Sequence, residues 1–127
     1  MMIKSSTLDV PFQTAFTNGD QAGVADLPIA KGGAGAGFGP HELLEAALAT
    51  CLVMTARMYA EKHQLPLASA SCEVRIDRSA VESVVLAYVL SVEGDLTTEQ
   101  KQQIQEAAAR CPVARTLTGQ INLQTTI

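Results

Sequence analysis

Cysteine thiols are the side chains in this sequence best suited to chemistry. The 127-residue chain holds Cys51, Cys72 and Cys111, together with two histidines, His41 and His63. No two of the cysteines have the two-to-four-residue separation typical of a zinc site, so the spacing predicts no metal. A thiol attacks a substrate as its thiolate, which a nearby cation or positive dipole stabilises. Redox chemistry, nucleophilic chemistry and simple burial therefore remain open for each thiol.

The predicted elements place the cysteines differently. A helix is predicted from Pro40, a favoured first residue, to about Gln64, with Cys51 near its middle. Residues 46–56 are apolar apart from two threonines, which is typical of a buried helix. Cys111 follows a second helix. Thr97 and Gln100 have capping-box spacing for its start, and its apolar stripe ends in Cys111 before Pro112 breaks the helix.

Strands make up most of the rest. Asn18-Gly19 is a strong hairpin signal between extended runs. Cys72 alternates with charged residues on a predicted strand, which favours a structural role in the core for this thiol. Val84–Val92 is continuously apolar and is predicted to be a central strand, and Ile121, Leu123 and Ile127 predict a final one. This order of elements predicts an α+β fold with a mostly antiparallel sheet.

Composition narrows the class of protein. The length fits a single domain, residues 1–127, and the net charge of −4 with scattered basic residues argues against nucleic-acid binding. No uninterrupted apolar run approaches the roughly 20 residues needed to span a membrane, and no signal-peptide pattern is present. Three cysteines are too few and odd in number for a disulfide scaffold, which predicts a cytoplasmic protein. Only 17% of residues are charged, which favours coverage of part of the surface by another subunit.

Two segments resemble motifs of the OsmC/Ohr family of osmotically induced and organic-hydroperoxide-resistance proteins. The first is GPHELLEAALATC, which runs from Gly39 to Cys51 and continues through MTARMYA. The second is CPVARTL, which begins at Cys111. The resemblance extends from about Asp26 to Ile127, and both motifs occur in the family's order and at its separation.

The resemblance implies an OsmC-like fold, in which an intertwined homodimer buries a long central helix. In active members the first cysteine attacks an organic hydroperoxide and the second resolves it as a disulfide, which assigns these roles to Cys51 and Cys111. A dithiol reductant, such as a lipoylated protein, then restores the thiols. The resemblance implies no cofactor and no metal.

The motif also departs from the family. Well-studied peroxidase members carry a glutamate directly after the motif proline and pair it with an N-terminal arginine. Here His41 takes that place and Glu42 follows it, and no arginine precedes Cys51, since all five lie between Arg57 and Arg115. The predicted catalytic residues are Cys51, Cys111, Glu42, His41 and Arg57.

Helix geometry limits what these residues can do. His41 lies about 15 Å before Cys51 along a straight helix, and Arg57 lies about 240° around the helix from it. For Arg57, a surface ion pair with Glu61 is expected at least as strongly as a catalytic role. For Glu42, an acidic residue in the first turn interacts favourably with the helix dipole, which explains its position without a catalytic role.

A thiol peroxidase for organic hydroperoxides is the leading functional hypothesis. Apolar side chains around Cys51 are predicted to line the substrate pocket: Leu48, Met54, Met58 and Phe38. The alternative is a non-enzymatic OsmC-like dimer that binds an apolar small molecule or a protein in its interface cleft. A hydrolase using a Cys51–His41 pair is the third possibility, and it requires hydrogen-bond reach between the two side chains.

Overall fold

The computed structural model of the protein describes residues 2–126. The chain forms two compact units, Met1–Leu44 and Glu45–Ile127, each built from an antiparallel sheet and helical segments. The fold is therefore α+β with antiparallel sheets, which confirms the class predicted from the sequence.

The first unit contains a three-stranded sheet in the order β1-β2-β3. The strands are β1 Lys4–Thr7, β2 Thr14–Thr17 and β3 Ala22–Ala25. The predicted hairpin at Asn18-Gly19 joins β2 to β3. The Asn18 side chain accepts hydrogen bonds from the backbone N–H groups of Asp20 and Gln21, at 2.9 and 2.7 Å. Gly19 adopts a φ of 101°, which side-chain-bearing residues rarely reach.

A buried carboxylate organises the glycine-rich segment that follows. Asp26 is 2% exposed, and its two carboxylate oxygens accept hydrogen bonds from the backbone N–H groups of Leu27, Ala34 and Ala36 at 2.7–3.2 Å. The Ala36 bond is the main cause that holds the pKa of Asp26 below its ordinary value, against the opposing effect of burial. The segment also contains a single 3₁₀ turn, Ile29–Lys31.

Two glycines in this segment are required by close backbone approach. A Cβ at Gly33 would collide with the carbonyl oxygen of Leu27, and a Cβ at Gly37 would collide with that of Val24. The segment is thus a closely fitted connector, in which these two glycines allow the backbone to pack closely.

Helix α1 spans Pro40–Lys62, close to the predicted bounds. One stripe at four-residue spacing is buried: Leu48, Leu52, Ala56 and Ala60. Met54 and Met58, on another face, are 63% and 68% exposed. Within the described residues, this largely apolar helix thus has one buried stripe and leaves two methionines of another face exposed.

By length and composition alone, α1 also meets the requirements for crossing a membrane. This corrects the expectation that no segment is long and apolar enough, which considered only uninterrupted runs. The core helix of a soluble protein passes the same test, so the finding is weak by itself.

The second unit continues with the hairpin of β4, Leu67–Asp77, and β5, Val85–Gly94. Among residues 2–126, β5 pairs with β4 alone, so the prediction of a central strand is wrong. Its apolar run serves two faces instead: Leu90 and Val92 belong to the core, whereas Val85 and Val89 are exposed. Continuous hydrophobicity predicted burial on both sides, but residues 2–126 cover only one of them.

Two further helices complete the unit. Helix α2, Thr98–Ala108, begins at the predicted capping box, in which Thr97 and Gln100 each accept a hydrogen bond from the other's backbone N–H. Helix α3, Pro112–Thr118, was not predicted, although proline at the first helical position is a start signal.

The predicted last strand is wrong for the described residues. Residues 120–126 form no strand, and Ile121 and Leu123 are 55% and 93% exposed; Ile127 lies outside the described residues. Alternating apolar residues need a neighbouring strand edge to pair with, and this segment has none in the described part of the chain.

Candidate active site

Cys111 is the most deeply placed thiol. It is 0% exposed and is the residue that caps the start of α3. Its Sγ accepts a hydrogen bond from the backbone N–H of Ala114 at 3.4 Å. Burial is the main cause that raises the pKa of Cys111; the Ala114 bond opposes it, and a hydrogen bond with Cys51 raises the pKa further.

Cys51 lies near the middle of helix α1. It is half-buried and packs against the core that contains Leu52, Ile104 and Cys111. Both cysteines are free thiols. After burial, Cys51 contributes to the raised pKa of Cys111. The two cysteines that the resemblance singled out, sixty residues apart in the chain, therefore lie in the same core region.

Cys72 lies on strand β4 and faces the same core. It is half-buried, packs against the same core, and lies opposite Leu90 of β5. Burial is the main cause that raises its pKa, and the charge of Cys111 raises it further. The predicted inward-facing position is confirmed, but strand alternation alone gave no sign that this face lies near the other two thiols.

Two of the other predicted catalytic residues, Arg57 and Glu42, have structural partners. Arg57 forms the alternative ion pair with Glu61, in which its Nε lies 3.2 Å from the Glu61 Oε1, and both side chains are 69% exposed. Glu42 Oε1 accepts a hydrogen bond from the backbone N–H of Gly39 at 2.8 Å and so caps the start of α1. His41 is exposed in the first turn of the same helix.

The predicted pocket residues lie at several different places in the two units. Leu48 is 4% exposed and belongs to the core. Met54 lines a cavity of about 240 Å³ together with Cys72 and neighbouring α1 residues. Met58 lines a separate depression. Phe38, in the first unit, lines an apolar cavity there of about 470 Å³.

No group of three or more histidine, cysteine or acidic side chains within residues 2–126 is arranged to hold a metal ion. Cys51 and Cys72 both pack against the core cluster to which Cys111 belongs, so the three thiols share one core region.

Sequence comparison matches residues 32–126 to the family described as OsmC-like protein. The chain belongs to the OsmC-like protein family. The matched range includes all three cysteines and both motifs that carried the resemblance. No curated protein sequence matches the chain.

Solved structures of OsmC-like proteins share the fold. An OsmC-like protein from Mycoplasma pneumoniae superposes with a TM-score of 0.76 at 21% identity, over 93% of this chain and 86% of that one. A protein from Psychrobacter arcticus, described as an osmotic-stress-induced detoxification response protein, gives 0.74 at 21% identity, over 91% and 87%. An organic hydroperoxide resistance protein from Legionella pneumophila gives 0.66 at 21% identity, over 93% and 88%.

Proposed function

We propose that this OsmC-like protein is a thiol peroxidase that reduces organic hydroperoxides through Cys51 and Cys111. The observation that carries the proposal is that Cys51 packs against the core that contains Cys111, and that both residues are free thiols. Two free thiols that lie in one core can form a disulfide after one of them is oxidised. Cys51 is the attacking thiol because it is half-buried, whereas Cys111 has no solvent access.

The reaction has two steps. The Cys51 thiolate attacks the outer peroxide oxygen, the O–O bond breaks, and the departing alkoxide takes up a proton to leave as an alcohol. Cys51 is then a sulfenic acid. The Cys111 thiol attacks the Cys51 sulfur, water leaves, and a Cys51–Cys111 disulfide remains. A dithiol reductant restores both thiols and becomes a disulfide itself.

An apolar substrate fits the side chains that flank Cys51 on its helix. Positions three and four residues away share a face with it, and these include Ala47, Leu48 and Met54. Since Leu48 is core, the contact with substrate falls to Ala47 and Met54. His41, Glu42 and Arg57 remain candidate catalytic residues of this proposal; Glu42 caps helix α1 and Arg57 pairs with Glu61 as well.

The proposal includes a cytoplasmic homodimer. Its support is the exposed apolar surface on α1 and β5: Met54, Met58, Val85 and Val89. A second subunit that covered these side chains would remove them from water, at roughly 25 cal/mol per Å² of apolar surface buried. Free thiols also fit a reducing compartment. Light scattering on the purified protein tests the dimer, and a monomer at micromolar concentration would contradict it.

Peroxide titration tests the chemistry directly. Reduced protein is mixed with cumene hydroperoxide, and the free thiols are counted. The wild type should lose two of its three thiols, and Cys72→Ser should also lose two. Cys51→Ser should lose no thiols on the time scale of the wild-type reaction. A wild type that loses thiols no faster than Cys51→Ser would end the proposal.

Binding of an apolar small molecule is the second candidate function. The observation in its favour is the apolar cavity of about 470 Å³ in the first unit, lined by residues such as Phe16, Val24 and Phe38. The engagement of Arg57 by Glu61 also leaves Cys51 without an assigned cation. Slow peroxide consumption together with a ligand-dependent rise in melting temperature would favour this function over the peroxidase.

A further inference from the structure

A helix side chain binds the outer edge of the β4–β5 hairpin. Within residues 2–126, β4 pairs with β5 alone, so its other edge has no neighbouring strand there. The Glu45 carboxylate of α1 accepts a hydrogen bond from the backbone N–H of Ile76 on β4, at 3.1 Å to Oε2. Because this amide donates to a helix rather than to β5, it belongs to the outer edge of β4. Glu45 therefore occupies the position of a neighbouring strand at this point.

This hydrogen bond joins two elements that are far apart in the chain. Glu45 and Ile76 are 31 residues apart, and both are half-buried. A hydrogen bond to a carboxylate is stronger than one between neutral groups. Glu42, in the first turn of the same helix, binds only the nearby Gly39 amide. The two glutamates thus differ: Glu42 caps α1, whereas Glu45 attaches α1 to β4.

A cavity of about 240 Å³ lies between the same two elements and is lined by Ala49, Thr50, Val53, Met54 and Cys72. Ala49 and Val53 follow Glu45 at four-residue spacing, so all three lie along one side of α1. Cys72 is four residues before Ile76 on β4 and points to the same face of the sheet. Ala49 lies about 6 Å from Glu45 along the helix, and Cys72 lies about 13 Å from Ile76 along the strand. The hydrogen bond is therefore placed at one end of the cavity, where it fixes the separation of the two walls.

The cavity also lies beside the proposed attacking thiol. Thr50 directly precedes Cys51, and Met54 shares a helix face with it; both line the cavity. The Thr50 hydroxyl donates to the Ala46 carbonyl oxygen at 2.7 Å, so it is engaged within the helix. An organic group that contacts Met54 can extend into this cavity, and the separation of α1 from β4 then limits the size of that group.

We propose that Glu45 is a positioning residue that determines specificity: it holds β4 to α1 and so limits the size of the organic group that reaches Cys51. The inference rests on the proposed peroxidase function. Glu45 takes no part in the bond changes of the cycle and acts only through the separation of the two elements. Without its hydrogen bond, this end of β4 is free to move away from α1, and the cavity accepts larger groups.

Four variants separate this role from a general effect on stability. Glu45→Ala removes the acceptor, and Glu45→Met removes it while keeping the length of the side chain. Glu45→Gln keeps an acceptor oxygen at the same position. Gln105→Ala is the matched control, because Gln105 donates a hydrogen bond from α2 to the Leu90 carbonyl oxygen of β5 at 2.9 Å. It removes one helix-to-strand bond that does not involve α1 or β4.

Two ratios of rates measure the size limit. The first compares the oxidation of Cys51 by cumene hydroperoxide with its oxidation by the smaller tert-butyl hydroperoxide. The second compares the labelling of Cys72 by fluorescein maleimide with its labelling by N-ethylmaleimide, located by peptide mass spectrometry. In Glu45→Ala and Glu45→Met, both large-to-small ratios should rise about tenfold, the factor that corresponds to loss of one hydrogen bond to a charged group. Glu45→Gln should recover most of this change, and Gln105→Ala should keep the wild-type ratios.

The outcomes separate this inference from the function on which it rests. Wild-type ratios in folded Glu45→Ala and Glu45→Met overturn it. So does an equal rise in Gln105→Ala, which would mean general loosening, or an equal rise in Glu45→Gln, which would mean that the hydrogen bond is not responsible. Failure of the peroxidase itself appears differently: neither hydroperoxide then oxidises Cys51 in the wild type, while the maleimide ratio at Cys72 still responds to Glu45→Ala.

Discussion

The glycine-rich connector and the thiol region are ordered by opposite means. In the connector, one buried carboxylate, that of Asp26, accepts three backbone hydrogen bonds and holds a segment that has almost no side chains to pack. In the thiol region, the order comes from apolar packing around Leu52 and Ile104, and the sulfurs contribute as small buried groups. The first kind of order depends on a charge and the second on volume. Changes in pH should therefore disturb the connector, and changes in side-chain size should disturb the thiols.

Removal of core volume should give the largest effect. Leu52 is 0% exposed beneath the thiols, and Leu52→Ala should lower the free energy of unfolding by about 2–5 kcal/mol. Urea unfolding measures this change. Met54→Ala, on the exposed side of the same helix, is the comparison variant: in a monomer it should change stability by about 0.5 kcal/mol or less, whereas in the proposed dimer the loss should be larger. Equal effects at the two positions would mean that the exposed face of α1 is covered in solution, as in the proposed dimer.

Loss of the Asp26 charge should give the second-largest loss of stability, through the glycine-rich connector. Because the folded state holds the pKa of this carboxyl below its ordinary value of 3.8, its contribution to stability is complete at higher pH. That contribution is lost as pH falls below 3.8 through the lowered pKa, since protonation weakens the bonds from Ala34 and Ala36. Unfolding measured from pH 6 down to pH 2 should show the loss.

Asp26→Asn is the matched variant for this pH dependence. The amide nitrogen cannot accept a hydrogen bond, so the variant should be less stable than the wild type at pH 6 and should lose less stability on acidification. An unchanged acid slope in Asp26→Asn would assign the acid sensitivity to other groups.

Thiol labelling should test the apolar packing around the cysteines. Burial raises the pKa of Cys111 and leaves its sulfur without solvent access, so iodoacetamide at pH 7 should modify Cys51 well before Cys111. Mass spectrometry of peptides over a time course gives the order. Cys111 labelling should rise in urea as the core opens, and rapid native labelling of Cys111 would show that the packing described here is incomplete.

The ion pair between Arg57 and Glu61 should give the smallest effect on stability. Both side chains are largely exposed, and exposed pairs at this helical spacing contribute about 0.3–0.5 kcal/mol. Arg57→Gln should lower stability by no more than this amount in a urea titration. A loss of peroxide consumption far beyond that change would assign Arg57 a catalytic role in addition to its structural one.

Local signals in the sequence were sufficient to predict the elements that depend on residues close together in the chain. Helix α1, the capping box at Thr97 and the Asn18-Gly19 turn all depend on residues within a few positions of each other, and all were predicted. The errors concern partners that are distant or missing. The run in β5 and the alternation at Ile121 and Leu123 indicate sheet neighbours that the described residues do not supply.

The candidate site likewise has a part that the sequence predicted and a part that it did not. The resemblance paired Cys51 with Cys111; both thiols lie in the same core, and their pairing stays a prediction. The proximity of Cys72 could not be predicted, because it depends on how β4 packs against α1 and on how α2 packs against β5. Spacing along the chain carries no information about either contact.

The cap at the start of α3 links the redox state of the protein to its backbone. The sulfur of Cys111 accepts the hydrogen bond that begins this helix, and it is also the sulfur that would enter a disulfide. Any reaction that shifts that sulfur must alter the environment of the Ala114 amide. The protein therefore carries a built-in spectroscopic reporter: one amide resonance, far from any added label, whose chemical shift follows oxidation of the buried thiol in real time.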